Sequence, residues 1–581
     1  MGVFAISTDH DRRLCRVVVC SHSFQGEIMF RNLAWRRVFA VALAGAVISG
    51  VAVPTGHASP AEPLPVPVTA GGLPTPQTDG IVFSVVIVGD TAYAGGRFQK
   101  ARPAGVAPGG PGEVARTNLL AFDVTTGDLL PWAPRVSNPD TLPNRPGNTC
   151  RQLESGEWTC DTVFRLETSP DGRHLYVGGD FAKINDQWHS RLARFDTTTG
   201  QLDTDFTPTV AGRVRGIAVT DDTVYLGGAF TRVNTTPRQR LAALATTGTV
   251  TDWAPTVDGD VHALAAAPGH DRVLLGGSFD TVNGATHHAM MAVHASTGAN
   301  APWNASVPAG TEVVTDIAID DTGTAYYGAY DHGGQAIKFE GRAAIDIPTG
   351  TPRWWDGCYG DTQALATAGG VLYSASHTHD CTASNAAIPP PGRERYYRLL
   401  AETTTATNTA TVSANHVTAG DPIPTVLPWF PTINAGPPDS AWQHGPWAID
   451  ATTDWVVAGG EFTTVNGQPQ QSLTRFAARH VPGAKNYGPQ FPFRAPQLTR
   501  NPDGHVVITW QATWSGQTSD IRYEIIRQST PQPIHTLTRS SRPWDLPHLT
   551  YTDHAHTAGT YRIRAIDTDG TRISSPSTTI E

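Results

Sequence analysis

The chain has 581 residues, of which 39% are hydrophobic and only 16% charged, with 57 Gly, 45 Pro and a formal charge of −10. Charged residues usually make up about 25% of a globular chain, so this balance describes many short elements joined by turns and excludes a coiled coil or a helical bundle. With 42 basic against 52 acidic residues and no Lys/Arg-rich run, there is no electrostatic footprint for phosphate-backbone binding, and nucleic acid is not an expected partner.

The long apolar stretch at 38–53 is shorter than the roughly 20 residues a membrane-spanning helix needs. Arg31, Arg36 and Arg37 precede it, and Gly56, Ala58 and Ser59 follow, which is the order of a secretory signal peptide. The expectation is a signal peptide over 29–59 starting at Met29, preceded by a non-native extension at 1–28 that contains Cys15 and Cys20. The mature chain is then exported by the general or the twin-arginine route to the exterior or the cell envelope, with no membrane span. Its four remaining cysteines, Cys150, Cys160, Cys358 and Cys381, enter an oxidising compartment. Of the three pairings open to them, 150–160 and 358–381 are favoured because each pair flanks one short loop. Neither pair has the C-x2-C spacing of a thiolate zinc site.

One phrase then recurs along the chain: Tyr93-Ala-Gly95-Gly96-Arg-Phe98, Tyr176-Val-Gly178-Gly179-Asp-Phe181, Tyr225-Leu-Gly227-Gly228-Ala-Phe230, Leu274-Leu-Gly276-Gly277-Ser-Phe279 and Val457-Ala-Gly459-Gly460-Glu-Phe462. Degraded copies stand at Tyr326-Tyr-Gly328-Ala329-Tyr330 and Tyr373-Ser-Ala375-Ser376-His377. The unit is near 49 residues, with large insertions after the first copy (133–160) and the sixth (382–427). Each unit reads as four short strands: an inner strand such as Val214–Val219, the Gly-Gly strand, a third strand such as Leu192–Asp196 after a Val-Asn turn, and a fourth ending in an aromatic-Pro phrase such as Trp253-Ala254-Pro255. Four strands per 40–50 residues is a propeller blade. The glycine pair predicts close sheet-to-sheet approach or a bulge, and the following Phe a wedge between blades. Seven units predict a seven-bladed β-propeller over 60–483. Its last unit lacks a fourth strand, which 64–69 is expected to supply from the other end of the chain.

The phrase aromatic-x-Gly-Gly-x-Phe-x-x-Val-Asn-Gly, followed by Leu-Ala-Arg-Phe-Asp-x-x-Thr-Gly, resembles the repeats of secreted bacterial propeller proteins of the delta-60-like type, commonly joined to fibronectin type III domains. The resemblance covers about 80–480. It implies an extracellular repeat scaffold and carries over no catalytic residues. After a linker at 484–490, residues 491–581 alternate in short strands, with Val506–Trp510, Tyr523–Arg527 and Tyr561–Ala565. This is the size and rhythm of a β-sandwich. Trp510, as a core residue, and Tyr561, on a later strand, resemble a fibronectin type III domain. The whole chain is therefore expected to be all-β.

Propellers bind ligands at the mouth of the central channel. Aligning the inner strands on Val163, Val214, Val261, Val314, Thr362 and Pro446 puts Phe164, Arg215, His262, Thr315, Gln363 and Trp447 at equivalent positions, with Phe83 from the first unit. Aromatic faces, an Arg fork and a His suit a sugar or a peptide. The expected function is thus a non-catalytic, monomeric binding protein for an extracellular glycan, protein or peptide, working without a cofactor. The alternative is a secreted glycosidase using Asp260, Asp316 and Asp361 as channel carboxylates. No G-x-S-x-G elbow or H-E-x-x-H zinc motif is present. His377 and His379, two apart on one strand, are compatible with a metal, but the expected reading of this segment is a hydrogen-bonded structural loop.

Overall fold

The computed structural model describes residues 63–307, 310, 312–331, 339–384, 396–414 and 416–581. The expected signal peptide at 29–59, the extension at 1–28, and residues 385–395 of the second insertion lie outside them. Among the described residues the only helix is a 3-10 turn at Pro268–His270, everything else regular is strand, and no helix is long and apolar enough to cross a membrane.

The repeat units fold as successive antiparallel sheets with inner strands at Ile81–Val88, Val163–Thr168, Val210–Val219, Val261–Ala267, Glu312–Ile319, Thr362–Ala368 and Pro446–Ala451. Each inner strand lies against the inner strand of the next sheet, and Pro446–Ala451 lies against Ile81–Val88. This is β-propeller architecture. Apolar clusters fill the spaces between neighbouring sheets: Val86, Leu119 and Ala121 of the first meet Val163, Leu175 and Val177 of the second. The phenylalanines of the recurring phrase, Phe98, Phe181, Phe230, Phe279 and Phe462, are all buried in such clusters.

Both expectations for the glycine pair hold, one for each glycine. The first glycine permits close approach between sheets: a Cβ on Gly227 would stand 2.6 Å from Val261 Cγ1 of the next sheet, and one on Gly459 would stand 2.5 Å from Val82 Cγ1 of the first. The second glycine faces a bulge in its own inner strand, where a Cβ on Gly228 would strike the carbonyl of Arg213. The register skips one inner-strand residue opposite each pair, as between Val214 and Gly216, which face Gly228 and Gly227. The Val-Asn turns are equally specific. Asn185, Asn234, Asn283 and Asn466 adopt φ near 50°, which Asn tolerates better than most residues. Each also exchanges two hydrogen bonds with the segment entering its sheet, as Asn234 does with Thr209 at 2.7 and 2.9 Å.

Two features differ from the sequence reading. The fourth strand is complete only in the fifth sheet, at Thr351–Trp355; in the first four sheets it shrinks to single bridges such as Phe195↔Leu202. The aromatic-Pro phrase explains this, because proline cannot donate to a ladder and ends the pairing. The N-terminal segment does pair along Leu473–Ala477, but at 69–73 rather than 64–69: Thr69 N–H donates to Ala477 O at 2.8 Å and Leu73 N–H to Arg475 O at 3.0 Å. Two prolines, Pro65 and Pro67, break the donor pattern of the earlier residues.

The C-terminal segment forms two sheets, one of Gln497–Arg500, Val506–Gln511 and His548–Asp553, the other centred on Asp520–Arg527 and Gly559–Asp567. They enclose one core containing Trp510, Tyr523, Tyr561 and Ile563. Tyr561 satisfies its hydroxyl by donating to Asp553 at 2.9 Å. Residues 63–581 form one compact unit. The joint between propeller and C-terminal sheets is packed: Trp544 meets the rings of Tyr397 and Phe430 at 4.7 and 4.9 Å, and Arg479 pairs with Asp569 at 3.3 Å. The connecting residues are pinned, with Tyr487 N–H donating to Gln517 at 2.8 Å.

Candidate ligand-binding site

The skipped residue of each bulge is Phe83, Phe164, Arg215, His262, Thr315, Gln363 and Trp447 in turn. A bulge leaves one residue unpaired and re-aims its side chain. All seven line a single cavity of about 570 Å³. The structure therefore brings together every predicted ring residue, and the bulge is the device that aims them.

One wall is aromatic. Phe83 lies 6.0 Å from Phe164 and 5.7 Å from Trp447 by ring centroids, and Trp442 closes the group at 5.8 Å from Phe83 and 5.3 Å from Trp447. The Arg215 guanidinium sits over the Phe164 ring at 4.8 Å. Its Nε is buried with no acceptor among the described residues, and burial, helped by Arg213, pulls its pKa below the usual value. Below the ring lies a charged layer. Arg165 pairs with Asp316 at 2.8 Å and with Glu167 at 3.2 Å. Burial works against the Arg165 charge, but these two carboxylates outweigh it and hold its pKa above the usual value. Burial also raises Glu167, against the pull of Arg165.

The three aspartates are not brought together: Asp260 and Asp361 stand two positions before their bulged residues, Asp316 one position after its own. Asp316 follows its bulged residue and faces the cavity, where Arg165 and the N–H of Leu365, at 2.9 Å, already engage it. Asp260 and Asp361 precede the inner strands and are not among the lining residues. Asp260 is 41% exposed and 3.6 Å from Arg240, while Asp361 belongs to a histidine cluster. Both disulfides form as expected, Cys150–Cys160 and Cys358–Cys381. The first pins an insertion that delivers Thr149 to the cavity.

That histidine cluster holds His377 and His379, whose rings lie 5.9 Å apart, with Glu340, Asp361 and His444. Burial raises Asp361 to about 6, against His377 and with Glu340. Burial also works to raise Glu340, but the two histidines overcome it and hold the carboxyl down at about 2. Burial lowers His444 to about 3, with His377 adding to it.

Sequence reasoning missed Trp442, Tyr330 and Asp450, which also line the cavity. Tyr330 was within reach, since it fills the variable position after the glycine pair. The same column supplies Arg97, whose guanidinium lies over Trp442 at 5.6 Å, and Glu461, which accepts from Trp447 Nε1 at 3.3 Å. Trp442 lies in a loop with no counterpart in other units and left no periodic signal.

Asp450 accepts from the N–H groups of Ile87 and Ala451 at 2.7 and 2.8 Å, yet burial raises its pKa to about 7, with Glu167 adding to it. A carboxyl whose folded pKa exceeds its unfolded value binds more protons when folded, so its charge costs stability progressively as pH rises from about 4 to 7. The melting temperature of Asp450→Asn relative to wild type should therefore increase from pH 5 to pH 8 in differential scanning calorimetry. A difference that stays flat across this range would show that Asp450 ionises freely.

A family model described as a domain of unknown function (DUF5122) beta-propeller matches residues 169–206. No curated protein matches the sequence. Among solved structures, one in the complex of KlAtg21 with the coiled-coil of AgAtg16 aligns over 72% of this chain and 99% of its own, at 8% identity and a TM-score of 0.33, a likeness too distant to bear on this chain.

Proposed function

We propose that this chain is an exported seven-bladed β-propeller carrying a fibronectin type III-like sandwich, and that it binds an extracellular glycan or peptide at the mouth of the propeller channel. The blade count is supported by the succession of inner strands and of glycine contacts that returns from Gly459 to Val82. The sandwich reading is supported by two sheets around Trp510 and Tyr561, and export by the two disulfides.

The observation that carries the binding reading is Arg215: a buried guanidinium nitrogen without an acceptor, stacked on an aromatic wall inside a cavity. A ligand with an apolar face and an acceptor oxygen satisfies both, and a sugar ring or a peptide carboxyl offers that combination. Glycan and peptide arrays should identify a ligand. The single variants Arg215→Ala, Trp447→Ala and His262→Ala should each weaken its binding by about tenfold, the equivalent of about 1.4 kcal/mol, with unchanged melting. Full affinity in the triple variant would move the site to the insertions at 133–160 or 382–427.

One observation favours a second reading. Glu167 and Asp450 line the same cavity, both with raised pKa values, as a glycosidase acid requires. Release of reducing sugar from a bound glycan, abolished in Asp450→Asn, would establish hydrolysis; intact glycan after prolonged incubation would leave binding alone.

A further inference from the structure

Four groups of potential metal-ligating side chains cluster among the described residues. Two of them include Cys358 or the Cys150–Cys160 pair, whose sulfurs are spent in disulfides. The other two share His377: Glu340 with His377 and His379, and Asp361 with His377 and His444, each group offering ligand atoms within 4.8 Å of one another. We propose that Glu340, His377, His379 and Asp361 form a site for one divalent transition-metal ion of the zinc class, closed by four protein ligands and separate from the ring of bulged residues.

The spacing fits. His379 Nε2 stands 3.3 Å from Glu340 Oε1, and His377 Nε2 stands 3.4 Å from Asp361 Oδ2 and 3.8 Å from Glu340 Oε1. Zinc bonds of about 2.0–2.2 Å in a tetrahedron separate neighbouring ligand atoms by about 3.3–3.5 Å, close to these three pairs; Asp361 joins the group through His377 and must swing toward Glu340 and His379 to complete the shell. The donor set of two imidazoles and two carboxylates suits zinc and its neighbours better than magnesium or calcium, which prefer all-oxygen shells. Charge balances as well, two carboxylates against one divalent ion, with both imidazoles neutral.

The scaffold holds the ligands before any ion arrives. His377 N–H donates to Asp361 O at 2.9 Å, His379 N–H to Tyr359 O at 2.9 Å, and Tyr359 N–H to Asp380 O at 2.6 Å. The Cys358–Cys381 disulfide closes this ladder two residues beyond His379. Alternate residues of an extended segment face one side, which is why the two imidazoles converge. Their side chains are 23% and 22% exposed, against 7% for Glu340, so an ion can reach a preformed site from solvent.

His444 stands behind the site. Its ring stacks on His377 at 4.8 Å, and its Nε2 is 3.8 Å from Asp361 and 3.3 Å from the Gln363 amide nitrogen. Its Nδ1 is 3.2 Å from the Pro446 carbonyl, an acceptor only, so Nδ1 carries the hydrogen. Nε2 then accepts from Gln363, which makes His444 a positioning residue for Asp361 and His377.

The test is titration of tag-free, EDTA-dialysed protein with zinc chloride alone in a calorimeter, with cobalt chloride in parallel for its visible absorption. One ion per chain is expected, together with tetrahedral cobalt bands and a rise in melting temperature. His377→Ala/His379→Ala should weaken zinc binding by at least about 100-fold, whereas His480→Ala, at a surface histidine, should leave it unchanged. If the double variant fails to fold, Glu340→Gln keeps the shape and should still cost at least tenfold. No saturable zinc binding by the folded wild type, or equal binding by a folded Glu340→Gln protein, would overturn the site and leave a hydrogen-bonded His–carboxylate cluster in its place.

Discussion

Replacing Arg342 with methionine is expected to lower the unfolding free energy by about 3–5 kcal/mol, the cost of leaving buried charge uncompensated. Arg342 has no exposed side-chain surface, and its two carboxylate partners, Asp356 and Glu402, are 2% and 1% exposed. The guanidinium is 2.7 Å from Glu402 and in close contact with Asp356, while Nη1 reaches Thr362, Ser374 and Thr378 at 3.3–3.5 Å. Burial pushes Glu402 up to about 8 even with the arginine present; without it both carboxyls must take up protons or stay charged in the interior. The position explains the arrangement. This triad joins the fifth and sixth sheets, where the Gly-Gly phrase has decayed to Gly328-Ala329 and Ala375-Ser376 and the apolar cluster is only Tyr326, Ala344, Trp354, Leu365 and Leu372. Urea unfolding followed by tryptophan fluorescence measures the loss. The deficit should shrink from pH 8 to pH 5 as the orphaned carboxyls protonate, and Arg342→Met/Asp356→Asn/Glu402→Gln should recover part of it. A loss below about 1 kcal/mol, the range of an exposed pair, would show that solvent reaches the triad.

Removal of residues 63–75 should be comparably damaging, at roughly 5 kcal/mol or more from lost burial and orphaned hydrogen-bonding groups. Val68 and Ala70 are buried among residues of the sixth and seventh sheets, including Tyr373, Trp429 and Phe476. Besides its bonds to Arg475 and Ala477, the segment takes the Trp429 indole N–H on Thr69 O at 3.3 Å and the Asn466 amide on Ala70 O at 2.8 Å. Its loss leaves Leu473–Ala477 as an open edge. The shortened chain should melt well below wild type and be cut by protease within the seventh sheet. Coincident melting curves and equal protease resistance would reduce the segment to an ornament on a ring that closes without it.

The repeat made the inner strands, the glycine contacts and the seven cavity residues legible from sequence alone, because each is a local pattern stated several times over. Gly-Gly marks the bulge in five units, the same register skip persists opposite Gly328-Ala329 and Ala375-Ser376, and the bulge fixes which inner-strand residue turns toward the cavity. What the sequence left obscure depends on contacts between distant, unrepeated residues. Trp442 reaches the cavity from a loop unique to its unit, Glu340 meets His379 across 39 positions, and Thr69 meets Ala477 across 408. The three aspartates show the limit of proximity in sequence: Asp260 and Asp361 stand two positions before a bulged residue and Asp316 one after, and only Asp316 faces the cavity.

The bulged residue of each inner strand is skipped by the backbone register and lies outside the apolar clusters between sheets, so packing constrains its identity less than it constrains the residues beside it. The spread of types at this position, from Phe and Trp through Arg and His to Thr and Gln, is what such freedom permits. A chain built this way can exchange its recognition chemistry one side chain at a time while its scaffold stays untouched, so related chains with the same glycine pattern can carry different rings and answer to different ligands.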